Sequence, residues 1–358
     1  MNRAMIALYK PFMPPLPLMD EILHSGQLTY GKYCRMFEEK LRAYFGTPWL
    51  LVTNSFNTAI SVAITTLDMD FGDEVVASPM GCLASTQPYL TAGLSVRWAD
   101  VDPHTGTLSP ESVRSRITAK TKCILHNHFC GYPGYIDEIN AIGKEYGIPV
   151  IDDGIECLGS KYKGKLIGNC GTCATVFSLT PVRNLSTIDG GIVIFENEEL
   201  FRRAVLVRDC GIDRTRFRDE MGEITPSCDI ALKGYSATMS DVNGYIGLMQ
   251  MEYLDGLLAQ NHKNAMRWQT KLETEDGIHP LERPQCEPNY WVFGTLAKEK
   301  PAVIRRFRDM GYYASGVHTD NSLYTAFGKR PELPGTQEFL QHFVALPCGW
   351  WMDDEHET

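Results

Sequence analysis

Short runs of adjacent apolar residues alternate along this chain with longer stretches in which apolar residues recur every three or four positions. The first pattern marks buried strands and the second marks helices with one apolar face. Leu50-Leu51-Val52-Thr53, Glu74 to Ala77, Val96 to Ala99, Lys122 to Leu125, Ile148 to Ile151, Thr175 to Ser178 and Ile192 to Phe195 read as strands. Between them, Ala84 to Thr91, Glu111 to Ile117, Ile136 to Tyr146 and Glu199 to Val207 read as helices. Residues 20–45 read as two helical pieces broken near Gly26 and Thr29-Tyr30-Gly31. Asn54-Ser55 supplies a cap for a helix through Ala59, Ile60, Ala63, Ile64 and Leu67, and Ser240 a cap for one running through Leu254 toward Trp268. Alternating strands and helices imply an α/β protein with a mostly parallel sheet covered on both faces. In such sheets ligands sit beyond the carboxyl ends of the strands, where Asn54, His128 and Asp153 fall. Each of these also has a plain structural reading as a polar group satisfied at a strand end.

The pattern changes after about Asp276. Pro280, Pro284 and Pro288 precede a strand at Asn289 to Leu296 and a helix at Ala302 to Met310. A large domain over 1–245 and a smaller α+β domain over 246–358 are therefore expected. The segment from Asp209 to Lys233 mixes Arg214, Arg216 and Arg218 with acids, Gly and Pro, and reads as a surface excursion.

Charge narrows the partners. Lys and Arg number 34 against 44 Asp and Glu, a formal net charge of -10, which gives no global attraction for nucleic acid or an anionic membrane. No apolar run reaches the length of a membrane span, and the proline-rich stretch from Pro11 to Pro17 does not resemble a secretion signal. Eleven scattered cysteines read as reduced thiols of a cytoplasmic protein. The close pair Cys170 and Cys173 lacks the second pair of a structural zinc site.

A set of motifs then carries a resemblance over nearly the whole chain. It comprises Gly26-Gln27-Leu28-Thr29-Tyr30-Gly31 with Phe37-Glu38, Gly72-Asp73-Glu74-Val75-Val76, Asp100-Val101-Asp102-Pro103 and His128-Phe129-Cys130-Gly131-Tyr132-Pro133. Val150-Ile151-Asp152-Asp153, Tyr162-Lys163-Gly164-Lys165, Phe177-Ser178 to Gly190-Gly191, and Leu346-Pro347 before Asp353-Asp354-Glu355 complete it. The chain resembles the DegT/DnrJ/EryC1/StrS family of sugar aminotransferases, among the fold type I pyridoxal-phosphate enzymes. The resemblance implies an aspartate-aminotransferase-like fold and a homodimer whose active sites are shared across the interface.

It also implies site residues. Asp153 matches the aspartate that pairs with the cofactor's pyridine nitrogen, and Ser178 matches a phosphate-binding hydroxyl. Ser55, Phe56 and Asn57 stand where backbone N–H groups approach the phosphate, with Phe56 a bulky obstacle in place of a small residue. Leu83 replaces the aromatic that stacks on the ring, Glu156 a Gln or His, and Ser236 an Asn that reaches the neighbouring subunit's phosphate. Arg183 falls in the register of the Schiff-base lysine. Arginine stays protonated, so it neither forms an imine with an aldehyde nor readily acts as a base. Lys161, Lys163 and Lys165 belong to an expected surface hairpin and supply no substitute.

The expectation is a divergent enzyme acting on a sugar, cyclitol or related metabolite. Pyridoxal or pyridoxamine phosphate is held noncovalently if it is bound, and no cofactor at all remains an alternative. Arg183 then neutralises developing charge, and Glu156 or His128 carries the proton. A catalytically silent homologue serving as partner or regulator, and a cofactor-free enzyme reusing the pocket, stand as alternatives.

Overall fold

A computed structural model describes residues 5–282 and 285–352; Pro284 and the Asp353-Asp354-Glu355 segment lie outside them. Helices α1 (Met19–Leu23) and α2 (Lys32–Phe45) lead into strand β1 (Leu50–Thr53). Then follow α3 (Phe56–Thr66), β2 (Glu74–Ala77), α4 (Leu83–Thr91), β3 (Ser95–Trp98), α5 (Pro110–Arg116), β4 (Thr121–Asn127), α6 (Ile136–Tyr146) and β5 (Val150–Asp153). A hairpin of β6 (Lys161–Tyr162) and β7 (Lys165–Leu166) precedes β8 (Ala174–Ser178), β9 (Gly191–Phe195) and α7 (Glu198–Arg208). Beyond the excursion come α8 (Asp241–Gln250), α9 (Leu254–Leu272), β10 (Ile278–Pro280), β11 (Cys286–Glu287) and β12 (Phe293–Ala297). The described chain closes with α10 (Lys300–Asp309), α11 (Pro334–His342) and β13 (Phe343–Leu346).

Seven strands form one sheet in the order β1-β9-β8-β5-β4-β2-β3, in which only β9 runs antiparallel to its neighbours. Alternate side chains enter opposite cores, as the pleat requires. Leu51, Val176, Val193 and Phe195 join the core beneath α3 and α7, whereas Leu50, Val52, Phe177 and Ile192 join the one beneath α2. A second sheet, β10-β12-β13, carries the C-terminal core. The N-terminal residues Ile6 and Leu8 pack into that second core, and Ile6 pairs with Tyr312, so the start of the chain is built into its end. No helix among the described residues is long and apolar enough to cross a membrane.

Three local expectations change. The strand expected to end at Leu125 continues through Asn127, placing His126 in the sheet opposite Asp152. The strand expected from Ile148 starts at Val150, because the Ile148 N–H closes α6 on Gly143 O at 2.8 Å. The single helix expected from Ser240 toward Trp268 is two helices, broken at Met251–Tyr253 without a Gly or Pro signal.

Candidate active site

The carboxyl ends of β1, β8, β5 and β4 lie side by side, and the register fixes which residues meet there. Thr53 and Ser178 flank Gly191, Val176 faces Asp153, and Asp153 faces Asn127. Gly191 is required: a Cβ there would stand 2.7 Å from Ser55 O and 2.8 Å from the Ala59 Cβ. Its absence lets the start of α3 rest on the sheet beside Ser178. Ser55 caps that helix in a reciprocal box with Thr58, while the Phe56 and Asn57 N–H groups have no acceptor among the described residues. The Phe56 side chain is only 3% exposed and turns into the core with Leu51, Ala59 and Ile60. The obstruction expected from it is absent, because the apolar ring gains more from burial than from facing a polar helix end.

Successive residues of a strand point to opposite faces, so Asp152 and Asp153 do different work. Asp152 accepts from His126 Nδ1 at 3.0 Å and lies 3.3 Å from His128 Nε2. Burial raises its carboxyl, but His128 and His126 outweigh this and hold it well below the usual carboxylate range. His128 Nδ1 accepts from the Gly134 N–H at 3.1 Å, so its proton sits on Nε2, facing Asp152. Nδ1 is thus committed, Nε2 approaches Asp152 without hydrogen-bond geometry, and the side chain is buried. His128 therefore anchors its loop through Gly134, alongside the proton-carrying role expected of it. The same tautomer opposes a metal ion in the cluster His126, His128 and Asp152, since no lone pair is free at Nε2.

Asp153 faces the other way, 3% exposed, with the Ile155 N–H donating to Oδ1 at 3.2 Å. Burial lifts its pKa to about 6, and neither the adjacent Ser85 hydroxyl, the Ile155 N–H nor His128 offsets that fully. No cationic side chain pairs with it among the described residues.

Glu156 lies on the turn after β5. Gly131 (φ +88°) brings the preceding loop against Asn289, and a Cβ there would stand 2.2 Å from Asn289 Oδ1. The Asn289 amide in turn donates to Glu156 O at 2.8 Å and Leu158 O at 2.9 Å, fixing the turn. The Glu156 carboxylate takes the Cys130 N–H at 2.9 Å on Oε2 and meets His318 Nε2 at 2.8 Å on Oε1. Arg183 Nη1 lies 3.5 Å from that same Oε1. Burial opposes ionisation of Glu156, but His318 and Arg183 prevail and lower its pKa. His318 was not singled out from the sequence; it lies 162 residues away and no local signal ties it to Glu156. Cys130, Glu156 and His318 also have metal-ligand spacing, but the Arg183 guanidinium beside the carboxylate opposes a cation.

The Arg183 side chain is 9% exposed and its guanidinium carbon lies 4.7 Å from the centre of the Trp291 ring. Trp291 is held by its own Nε1–H, which donates to Val182 O at 2.6 Å, and by stacking on Tyr9 at 4.5 Å. Lys161 and Lys163 pair with Glu287 and Asp137 on the hairpin, as the sequence implies. Lys10, which the sequence reading passed over, lines a crevice beside Arg183 with its Nζ 4.9 Å over the Trp350 ring. Leu83 opens α4, partly exposed. Ser236 stands apart from the Asp153–Arg183 group, exposed on a cleft with Tyr30, Arg208 and Thr238, where its carbonyl accepts from Asn54 Nδ2 at 3.2 Å. Neither metal-type cluster among the described residues contains Cys170 or Cys173.

Known proteins share this arrangement of elements. AtS13 from Actinomadura melliaura superimposes with a TM-score of 0.92 at 30% identity, over 99% of this chain and 97% of its own. The sugar aminotransferase CalS13 from Micromonospora echinospora gives 0.90 at 28% identity, over 98% and 97%. Spr1654 from Streptococcus pneumoniae, solved in PLP-form and PMP-form, gives 0.86 for both at 22% identity, over 98% and 97% of this chain respectively and 95% of its own, a likeness of fold. The sequence model of the DegT/DnrJ/EryC1/StrS aminotransferase family matches residues 16–358. With its aspartate-aminotransferase-like α/β fold, this chain belongs to the DegT/DnrJ/EryC1/StrS aminotransferase family.

Proposed function

We propose that this chain binds pyridoxamine or pyridoxal phosphate without a covalent bond to residue 183. We further propose that it acts on a sugar, cyclitol or related metabolite by chemistry other than lysine-dependent amino transfer. One observation carries this reading. Asp153 is a buried carboxylate with a pKa raised to about 6 and no protein cation to pair with, at the same sheet edge as the free N–H groups of α3. A protonated pyridine nitrogen is the kind of partner that such a carboxylate lacks. Phe56 and Asn57 N–H, Ser55 and Ser178 are the groups suited to a phosphate, and Leu83 to the ring face. Ser236 would belong to the neighbouring site of a homodimer.

When bound, that cofactor supplies an electron sink for carbanion chemistry at a substrate carbon attached through nitrogen. Asp153 would hold the pyridine proton. Arg183, permanently charged, would offset negative charge developing on a substrate oxygen. The Glu156–His318 pair is the nearest acid–base system to Arg183, at 2.8 Å and 3.5 Å respectively. The wider reading of a sugar-modifying enzyme draws on the family and on CalS13, described as a sugar aminotransferase. A second reading, a catalytically silent partner or regulator, draws on Arg183 alone and predicts cofactor binding without turnover of any sugar.

Calorimetric titration with pyridoxamine phosphate, wild type beside Asp153→Asn, tests the cofactor reading. The variant should bind at least about tenfold more weakly, since one charged hydrogen bond is worth ~1.5–3 kcal/mol. Equal affinities would remove Asp153 from the site and the reading with it.

A further inference from the structure

Around Arg183 the donors outnumber the acceptors. Nε and Nη1 of its guanidinium are buried and make no hydrogen bond, the ion pair with Glu156 being 3.5 Å long. The next residue repeats the pattern. Asn184 Oδ1 accepts from Asn261 Nδ2 at 3.1 Å, and Asn261 Nδ2 also donates to the backbone carbonyl of Asn289 at 3.2 Å. That second bond identifies the Asn261 atom as nitrogen, so the Asn184 atom facing it is oxygen and the Asn184 Nδ2 is left over. It too is buried without a partner.

Arg183 and Asn184 line one crevice with Lys10, Phe12, Trp291 and Trp350. Its polar part offers N–H donors, and its walls are aromatic rings. A buried guanidinium without hydrogen bonds is costly, and so is a buried amide N–H; a ligand bringing oxygen acceptors relieves both. A planar carboxylate matches the fork of a guanidinium better than any neutral group does. Glu156 does not fill this need, because its Oε1 is shared with His318 and its Oε2 with the Cys130 N–H. Trp291 is covered by Arg183 and Tyr9, so the ring suited to the C–H face of a sugar is Trp350, beneath Lys10.

We propose that this crevice takes the carboxylate of an acidic sugar, so that the substrate of the activity proposed above is a sugar acid rather than a neutral sugar. The proposal rests on that reading for the word sugar, and on Arg183 and Asn184 for the word acid. The crevice is narrow, about 10 Å³, near the size that admits a single water. Entry of a carboxylate therefore requires the lining side chains to part, the exposed Lys10 over Trp350 among them.

The test is a set of calorimetric and tryptophan-fluorescence titrations of the full chain with D-glucuronate, D-glucose and inorganic phosphate, each with and without pyridoxamine phosphate. D-glucuronate should bind at least about tenfold more tightly than D-glucose or phosphate, a difference of ~1.4 kcal/mol. Arg183→Gln should reduce glucuronate binding to the level of glucose. If that variant does not fold, Asn184→Asp, which places a like charge in the crevice, should do the same. Asp153→Asn should weaken pyridoxamine phosphate binding in the same titrations. Loss of the cofactor reading alone would show as glucuronate binding that survives in a protein unable to bind pyridoxamine phosphate. Glucuronate binding no tighter than glucose, tighter binding of phosphate, or indifference to both crevice variants would overturn the proposal.

Discussion

His318 Nε2 lies 2.8 Å from Glu156 Oε1, joining the loop beyond α10 to the turn after β5. The same oxygen is the only carboxylate oxygen paired with Arg183 among the described residues. Glu156→Gln would keep the shape and leave a guanidinium that is 9% exposed without a counter-charge. Breaking a buried pair from one side costs ~3–5 kcal/mol, whereas removing both charges costs much less. Urea unfolding should therefore show Glu156→Gln strongly destabilised and Glu156→Gln with Arg183→Met substantially restored. Additive losses would mean that the two side chains do not depend on each other.

Asp153 gives a pH dependence of a definite sign. Its carboxyl titrates at about 6 in the folded chain against an ordinary 3.8, so the folded state holds the extra proton between those values. Its contribution to stability is thus present in acid and lost as pH rises through about 6, a change of ~3 kcal/mol. Asp152 and Glu156 act oppositely, since both are lowered and lose stability as pH falls below the usual carboxylate range. Comparing wild type with Asp153→Asn cancels those two. Without cofactor, the variant should be the more stable at pH 7 and equal near pH 4. A variant less stable at pH 7 would mean that Asp153 already has a protein partner.

We propose that His128 anchors its loop rather than carrying a proton. With Nδ1 on the Gly134 N–H and the ring packed beside Asp152, His128→Ala leaves that buried N–H short of a partner and a void in the core. A loss of ~2–4 kcal/mol in unfolding free energy is expected. Affinity for pyridoxamine phosphate, measured where the variant is folded, should stay within about threefold of wild type. A stable His128→Ala protein with weakened cofactor binding would return the residue to the site.

Phe56 separates packing from cofactor contact. Being 3% exposed in the core, it should cost ~3–5 kcal/mol when replaced by Ala. Pyridoxamine phosphate should bind that variant no better than wild type, because the ring does not cover the N–H groups of α3. Tighter binding by Phe56→Ala would reinstate the ring as an obstacle.

The alternation of strands and helices was legible because buried parallel strands and amphipathic helices leave strong periodic marks, as at Leu50–Thr53 and Ile136–Tyr146. Ser55 and Ser240 were legible as caps because a hydroxyl before an apolar run has one obvious use. The Asp153–Arg183 edge came through family motifs rather than through spacing. What escaped was long-range. His318 reaches Glu156, and Lys10 reaches the Arg183 crevice, through tertiary folding that leaves no local pattern. The strand placement of His126 was missed because the apolar run ends at Leu125 while its hydrogen-bonded ladder does not.

The central claim, that any aldehyde cofactor is held without a covalent bond to this chain, is tested most directly by its absorbance spectrum. Purified protein with pyridoxal phosphate should show no imine band near ~420 nm, and borohydride treatment followed by mass spectrometry should find no cofactor on any lysine. Arg183→Lys, treated identically, should gain both signals. A borohydride-fixed cofactor on a lysine of the wild-type chain, Lys10 included, would contradict the account.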